Sequence, residues 1–256
     1  MAFNCIIGEL RATIFTSPIV YDPSNLQRIN SVLKAEDGYV PSIVPPPTAG
    51  LPLPLSVQGF VNQGIPMDWE MASQKTNLRV HFGPQKIDIL KNTHQESATL
   101  EEDFCKASET IFKGIIEKFQ LIPTRLAYAP VYTPEFNKDF KRKDFLNRIY
   151  AINQFDGAEM NTLLFKHGYL LNEKIGDRMF RMNYVADASE GQSIEERRNP
   201  DGTTGLFIHS MLNLVLDINT RQGEGYTFTI EELEAFFNTC VNRAHKYRDF
   251  YVSVGQ

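Results

Sequence analysis

Cysteine is scarce in this chain, which argues against a fold stabilised by disulfide bonds or by a structural zinc ion. Only three cysteines occur among 256 residues, at Cys5, Cys105 and Cys240. None belongs to a CxxC motif or pairs with a histidine at ligand spacing, so the sequence predicts neither a disulfide framework nor a structural zinc site. We expect all three to be small buried hydrophobic residues with reduced thiols, as in a cytoplasmic protein.

Long apolar runs are also missing. No uncharged stretch is long enough to cross a bilayer, and Glu9 and Arg11 interrupt the N-terminal segment where a signal peptide needs its hydrophobic region. The sequence therefore predicts a soluble cytoplasmic protein without a membrane partner. With 42% hydrophobic and 22% charged residues, the composition is that of one large folded domain or two closely packed halves.

The chain has no excess of basic residues. Its formal net charge is -5, which argues against a broad nucleic-acid surface because such surfaces neutralise phosphates with Lys and Arg. One local basic cluster lies near the start of a predicted helix, where the helix macrodipole disfavours cations. A solvated helix face is one explanation, and a contact for an acidic partner or a nucleic-acid backbone is the other. The cluster consists of Lys138, Lys141, Arg142, Lys143 and Arg148.

Familiar catalytic and cofactor motifs are absent. The sequence has no Walker A loop, no GxGxxG after a strand and no GxSxG nucleophile turn. Its five histidines are scattered without a metal-binding grouping, and we expect packed strand positions for His81 and His209. We therefore predict no cofactor, no catalytic residue and no metal ligand, and we favour a binding protein over an enzyme.

The first half of the chain predicts one order of elements. A strand at Cys5–Phe15 is followed by a helix that is capped by Ser24 and ends near Lys34. Three strands and a long helix from Leu100 complete this half. The three strands are Ser56–Asn62, Asn77–Phe82 and Gln85–Leu90.

The second half predicts the same order again. It runs through a strand, a short helix, three strands and a long amphipathic helix. In sequence these are Thr124–Tyr132, Phe140–Ile152, Thr162–Leu171, Arg178–Ala186, Leu206–Asn219 and a helix from Ile230 towards Phe250.

Two short sequence matches support an internal duplication. Asp88-Ile89 corresponds to Asp217-Ile218, and both long helices begin with a predicted capping box, Thr99 with Glu102 and Thr229 with Glu232. The predicted fold is therefore α+β, with a β-α-β-β-β-α unit in residues 1–122 and again in residues 123–256. The two units would pack as one globular body, with one antiparallel sheet or two sheets backed by two long helices and one sheet face free for binding.

The C-terminal ending carries a family resemblance. The segment LVLDIN at residues 214–219, followed by a short polar turn and a capped helix, resembles the ending of an uncharacterised family of bacterial proteins of similar length. The repeated order of elements looks like the TATA-binding-protein-like topology. This resemblance covers most of the chain in element order and only a few residues in identity. It implies a fold and carries no functional residue across.

Two features of the first half suggest contacts outside regular structure. Residues 40–55 are rich in proline, which predicts an extended segment without a regular ladder, either a covering strap or a partner-binding arm. Trp69 is the only tryptophan and lies in a predicted connection beside Met67 and Met71. It could anchor the core or contact a partner, because tryptophan and methionine concentrate at binding hot spots.

These observations leave three functional hypotheses. The leading one is a non-catalytic interaction or scaffold subunit of an intracellular bacterial assembly, which binds a protein partner or itself. The second is nucleic-acid binding through the sheet face or the 138–148 helix. The third is a metal-dependent enzyme that uses Asp88 and Asp217. Solvation or pairing with Arg79 and Arg181 is the more ordinary explanation of these aspartates.

Overall fold

One antiparallel sheet and three α-helices make up the described part of the protein. The structure is a computed structural model that describes residues 4–44, 68–95, 99–135, 145, 148, 164–198 and 204–255. The α+β class predicted from the sequence is confirmed. The strands are β1 (Asn4–Phe15), β2 (Val40–Val44), β3 (Asp68–Ala72), β4 (Leu78–Phe82), β5 (Lys86–Gln95), β6 (Arg125–Glu135), β7 (Leu164–Ile175), β8 (Arg178–Arg198) and β9 (Thr204–Thr220). The helices are α1 (Pro23–Asn30), α2 (Leu100–Phe119) and α3 (Ile230–Gly255).

The strand order follows the same path on both sides of the centre. Across the sheet the order is β2-β3-β4-β5-β1-β6-β9-β8-β7, with β1 and β6 paired antiparallel in the middle. From β1 the chain crosses to the outer strand β2 and returns inwards through β3, β4 and β5. From β6 it crosses to β7 and returns through β8 and β9. All nine described strands belong to one sheet, so the alternative of two sheets is wrong for this part of the chain.

The two faces of the sheet differ in polarity because side chains alternate along each strand. One face packs against the helices: the Tyr132 hydroxyl of β6 donates a hydrogen bond to Glu101 of α2 at 2.7 Å and lies 3.3 Å from the carbonyl oxygen of Ala244 of α3. The opposite face, called the open face below, carries mostly polar and partly exposed side chains. They include Glu9 and Arg11 of β1, Arg79 and His81 of β4, and Asn213 and Asp217 of β9.

The helices cover the apolar face through aromatic side chains. Phe112 of α2 and Phe237 of α3 stack with their ring centroids 6.0 Å apart, and both rings are buried. α1 lies at the end of α2, where the guanidinium of Arg28 sits 3.9 Å from the ring of Phe119. These contacts explain the apolar stripes that the sequence shows on the long helices.

Only one of the two predicted capping boxes on the long helices forms. At α3, the Thr229 backbone donates to Glu232 at 3.0 Å and the Glu232 backbone donates to the Thr229 hydroxyl at 3.2 Å. At α2, the Thr99 hydroxyl instead donates to the carboxylate of Asp103 at 3.0 Å and makes no capping hydrogen bond. The two helix starts therefore differ in structure although their sequences match.

α1 is shorter than predicted and uses a different cap. Its N-cap is Asp22, whose carboxylate accepts a hydrogen bond from the Asn25 backbone at 2.8 Å, so Ser24 lies inside the helix. Pro23 at the first helical position has the backbone angle that a helix start requires. The helix ends at Asn30, and a short 3-10 turn at Ala35–Asp37 follows.

The proline-rich segment begins with a regular strand, which corrects the expectation for residues 40–55. β2 pairs antiparallel with β3 from Val40↔Ala72 to Val44↔Asp68. Pro41 is tolerated there because β2 is an outer strand, where a residue without an N–H need not interrupt the ladder. Residues 45–55 and the predicted strand Ser56–Asn62 lie outside the described residues. Four described strands therefore follow α1, where three were predicted.

The outer strands of the second half extend further than predicted. β7 pairs with β8 from Leu164↔Ser189 to Ile175↔Arg178, and the turn between them has Gly176 at φ +59. β8 and β9 continue as a ladder that reaches Arg198↔Thr204. Polar residues in these extensions break the apolar alternation, which is why the sequence pattern ended the strands early.

Candidate functional site

A polar cluster centred on Asp88 lies on the open face. Strand register brings Asp88 of β5 opposite Thr13 of β1 and His81 of β4. The Asp88 carboxylate accepts a hydrogen bond from the Thr13 hydroxyl at 2.6 Å, and it lies 2.7 Å from Lys86 Nζ and 3.6 Å from His81 Nδ1. His81 Nε2 lies 3.3 Å from Asp68 of β3. The imidazole therefore bridges two carboxylates, a role that the packed strand position expected for His81 did not include.

The environment of Asp88 favours its ionised form. Burial by itself raises the pKa of this carboxyl, but hydrogen bonds from His81, Lys86 and Thr13 outweigh it and lower the pKa to about 2. Asp88 is 3% exposed, so the expected solvation or arginine pairing is wrong at this position. A carboxylate with this pKa is a poor proton donor or acceptor at neutral pH.

We expect Asp88 to contribute to stability at neutral pH and to lose this contribution in acid. The pKa of about 2 in the folded protein lies below the usual aspartate pKa of 3.8, so the contribution is present above about pH 4 and is lost as the pH falls through about 2. Asp88→Asn should lower the free energy of unfolding at pH 7 by about 2 kcal/mol. Urea unfolding from pH 2 to pH 7 measures both effects.

Asp217→Asn is the matched control for this prediction, since it makes the same chemical change on the same face. Asp217 is half-buried and has one neutral partner, Asn219, whose side-chain amide donates to it at 3.0 Å. We expect this variant to follow the wild-type acid profile to within about 0.5 kcal/mol. Two results would contradict the stabilising role given to Asp88: equal losses of unfolding free energy in both variants, or an Asp88→Asn variant whose stability depends on pH as in the wild type.

Asp217 does not join the Asp88 cluster. β1 and β6 lie between β5 and β9, which separates the two aspartates by about 14 Å at about 4.8 Å per strand. They cannot ligate one cation together. Arg181 pairs with Glu224 at 3.2 Å, so its expected pairing with these aspartates is wrong. Within the described ranges, no three His, Cys, Asp or Glu side chains are grouped to hold a metal ion.

Trp69 lies in a strand and in the core. It belongs to β3, and its side chain is fully buried, so the expected connection at this position is wrong. The indole stacks on Phe82 with a centroid distance of 4.0 Å, meets the edge of Tyr21 at 5.5 Å and donates its N–H to the Ile19 carbonyl at 2.8 Å. These contacts correspond to core anchoring, the alternative to a partner contact.

The basic cluster is largely outside the described residues. Lys138, Lys141, Arg142 and Lys143 are not described, whereas Arg148 is exposed and donates a hydrogen bond to the Val254 carbonyl of α3 at 2.9 Å. Nucleic-acid binding through the 138–148 segment stays a prediction.

All three cysteines are buried free thiols, as predicted. Burial raises the pKa of Cys105 and of Cys240, and the nearby Glu101 carboxylate raises that of Cys105 further. A thiol with a raised pKa holds little of the reactive thiolate at neutral pH. These cysteines pack as small hydrophobic residues between the helices and the sheet.

A buried carboxylate network between the helices and the sheet was not predicted from the sequence. Glu101, in the first turn of α2, is fully buried. Its carboxylate accepts hydrogen bonds from Tyr132 at 2.7 Å and Arg248 at 2.9 Å, and it lies 3.3 Å from His245 Nε2. Burial raises the pKa of Glu101, while Tyr132 and Arg248 lower it in part.

No local pattern identifies Glu101 as a buried residue. Acidic residues are common in the first turn of a helix, where they favour the macrodipole and are usually solvated. The partners of Glu101 lie in β6 and α3, far along the chain. Helical spacing offers a partial signal, because Glu101 is adjacent to the apolar stripe that starts at Leu100.

One outer strand of the described sheet exposes three apolar side chains. Tyr169, Leu170 and Leu171 of β7 have exposed fractions of 40%, 45% and 37%. Within the described chain, β7 is the last strand of the sheet and has β8 as its neighbour. The Tyr169 ring stacks on Tyr184 with a centroid distance of 5.3 Å, and its hydroxyl meets that of Tyr247 of α3.

Comparison with known proteins adds no function to these sites. No protein-family model and no curated protein matches the sequence. The resemblance to an uncharacterised bacterial family therefore stays a prediction. Among the helices of the described ranges, none has the length and apolarity needed to cross a membrane.

Proposed function

We propose that this chain is a non-catalytic protein-interaction or scaffold subunit that assembles with a second copy of itself through β7. The observation that carries this proposal is the run of three consecutive exposed apolar side chains at Tyr169, Leu170 and Leu171, which alternate between the helix side and the open face. They lie on a strand of 12 residues at the edge of the described sheet. Long edge strands with exposed apolar residues readily pair with another strand.

A second copy is the partner that matches this edge best. Two β7 strands related by a two-fold axis run antiparallel, and a register centred on Leu170 places Tyr169 of each copy opposite Leu171 of the other. Apolar side chains then meet at all three central positions. Lys166 faces Lys174 at both ends, but Asp177 lies 4.0 Å from the Lys174 ammonium group and solvent screens the pair.

The paired strands would also keep the helices on one side. Directly opposed residues in an antiparallel ladder point to the same face, so α2 and α3 of both copies lie on the same side of a continuous sheet. The open faces then join into one longer polar surface. This surface includes the Asp88 cluster of each copy.

We expect Leu170→Lys to weaken self-association. The substitution places two lysines against each other at the two-fold axis and removes an apolar contact, so the dissociation constant of the dimer should rise at least about tenfold. Sedimentation velocity over a micromolar concentration range measures this change. Leu170 is 45% exposed, so the variant should fold like the wild type.

Val40→Lys is the matched control. Val40 is an apolar residue on β2, the opposite outer strand, and is 64% exposed. We expect this variant to associate like the wild type. A wild-type protein that stays monomeric up to about 100 μM, far above the micromolar affinity of an ordinary specific complex, would refute the proposal. Loss of the dimer in Val40→Lys alone would also refute it.

We further propose that the two halves of the sheet are copies of one unit. The support is the shared path of the chain, which in each half starts at a central strand, crosses to an outer strand and returns inwards to a long helix. The matched Asp88 and Asp217 both lie on the open face. The different caps of α2 and α3 are then local changes within one original pattern.

A further inference from the structure

A cleft of about 730 Å³ opens at the end of the sheet, where β1 ends, β6 begins and the loop before α3 passes over them. We call it the Arg125 cleft. A volume of this size suits a small organic ligand. Its polar lining includes Thr16, Ser17, Gln85, Thr124, Arg125 and Tyr226.

Arg125 is a half-buried cation without a counter-ion in the described chain. Its Nη2 donates to the side-chain oxygen of Asn219 at 2.9 Å, and its guanidinium lies 4.5 Å from the ring of Phe15. No described carboxylate lies within ion-pair distance of it. Its Nε is buried and has no hydrogen-bond partner. An uncompensated guanidinium is unexpected in a chain of net charge -5 and suits an incoming anion.

Thr16 provides a second unused polar group in the same cleft. Its side chain is 7% exposed, and its hydroxyl has no hydrogen-bond partner. The backbone holds it in place, since Thr16 N donates to the Gln85 carbonyl at 3.0 Å. Buried polar groups without partners are rare and costly in folded proteins, so a free hydroxyl and a free guanidinium N–H that belong to the lining of one cleft call for an acceptor.

The loop over the cleft keeps negative charge away from Arg125. Gly223 and Gly225 have φ values of +85 and +68, which let the chain turn tightly on both sides of Glu224. Arg181 and Arg221 hold the Glu224 carboxylate at 3.2 Å and 3.6 Å. Glu224 is not among the residues that line the cleft, and none of the described lining residues is acidic.

We propose that the Arg125 cleft binds a small organic oxyanion, either a carboxylate or a phosphate monoester. The charged end meets Arg125 and the Thr16 hydroxyl, and an apolar or aromatic portion lies against Phe15 and Ile122. A guanidinium presents parallel N–H donors that match both kinds of oxyanion, and the hydroxyl adds a third donor. β9 and β8 separate this cleft from β7, so ligand binding and self-association are tested independently.

Isothermal titration calorimetry tests this site by measuring the binding of two probes, benzoate and phenyl phosphate. The buffer must be free of other oxyanions. We expect one ligand per chain for at least one probe, and the stronger probe identifies the oxyanion class. Arg125→Gln should weaken binding at least about tenfold, because a charge-assisted hydrogen bond is lost. Thr16→Val should weaken binding about threefold or more while leaving the thermal stability of the ligand-free protein unchanged or higher, because it removes an unsatisfied hydroxyl.

Arg28→Gln is the matched control. Arg28 of α1 also has its guanidinium over a phenylalanine ring, and it donates to the Lys118 carbonyl near the end of α2, outside the cleft. Its substitution should leave probe binding unchanged. The proposal is overturned if neither probe binds at millimolar concentration, or if Arg125→Gln and Thr16→Val both bind as well as the wild type. A loss in Arg28→Gln that equals the loss in Arg125→Gln also overturns it.

Discussion

Glu101→Ala should destabilise the protein by about 3 kcal/mol, because it leaves Arg248, whose side chain is only 18% exposed, without its counter-ion. The carboxylate is fully buried and joins three elements of the fold: α2 carries it, β6 contributes Tyr132, and α3 contributes Arg248 and His245. Removing it also leaves the Tyr132 hydroxyl with one long hydrogen bond, to the Ala244 carbonyl at 3.3 Å. Urea unfolding followed by circular dichroism at pH 7 measures the loss.

Glu102→Ala is the control for this prediction. Glu102 is the next residue in the same helical turn, and its side chain is 38% exposed. Its removal should change the free energy of unfolding by less than about 1 kcal/mol, as for surface ion pairs. Glu101→Gln keeps the shape and one acceptor but loses the charge, so we expect an intermediate loss. If Glu101→Ala and Glu102→Ala lowered the free energy of unfolding by the same amount, the proposed role of Glu101 in joining the helices to the sheet would be wrong.

Trp69→Ala should cost about 3–5 kcal/mol of stability, the usual loss when a large aromatic core residue is truncated. The indole fills a fully buried position against Phe82, and its N–H satisfies the Ile19 carbonyl at 2.8 Å. The loss should appear in urea unfolding followed by far-UV circular dichroism. Fluorescence is unsuitable because Trp69 is the only tryptophan in the chain.

Two further variants separate the core role of Trp69 from a partner contact. Trp69→Phe keeps an aromatic ring against Phe82 but loses the N–H, so we expect a loss of about 1–3 kcal/mol. Phe250→Ala removes an aromatic side chain that is 47% exposed on α3, and its effect should be within about 0.5 kcal/mol. A stable Trp69→Ala protein with weakened self-association would restore the partner-contact hypothesis.

Short sequence patterns predict some elements of this fold, whereas contacts between distant segments decide others. The apolar alternation of β1, β4 and β5 and the stripes of α2 and α3 predict those elements well, because each pattern repeats within a short segment. Local reasoning was wrong where the neighbourhood in space decides. Pro41 does not prevent a strand in β2, because an outer strand tolerates a missing N–H. Thr99 does not form a capping box, although Thr229 does.

The candidate sites were harder to predict than the fold. Asp88 and Asp217 were expected on a polar face, and both lie on the open face. Lys86 lies two residues before Asp88 on the same strand, so local alternation places it on the same face. Thr13 and His81 could not be predicted as partners, because strand register places them opposite Asp88. The Arg125 cleft has no sequence signature. Its parts come from the end of β1, the start of β6 and the loop around Gly223 and Gly225.

The sequence by itself determined the α+β class, the two long amphipathic helices and the burial of the three cysteines. These features follow from residue type and short-range spacing. Only the tertiary structure decided that all nine described strands join in one sheet and that Glu101 is buried against Arg248. It also decided that Arg125 lines a cleft and has no described counter-ion. Each of these depends on contacts between residues far apart in the chain, and a local pattern does not encode such contacts.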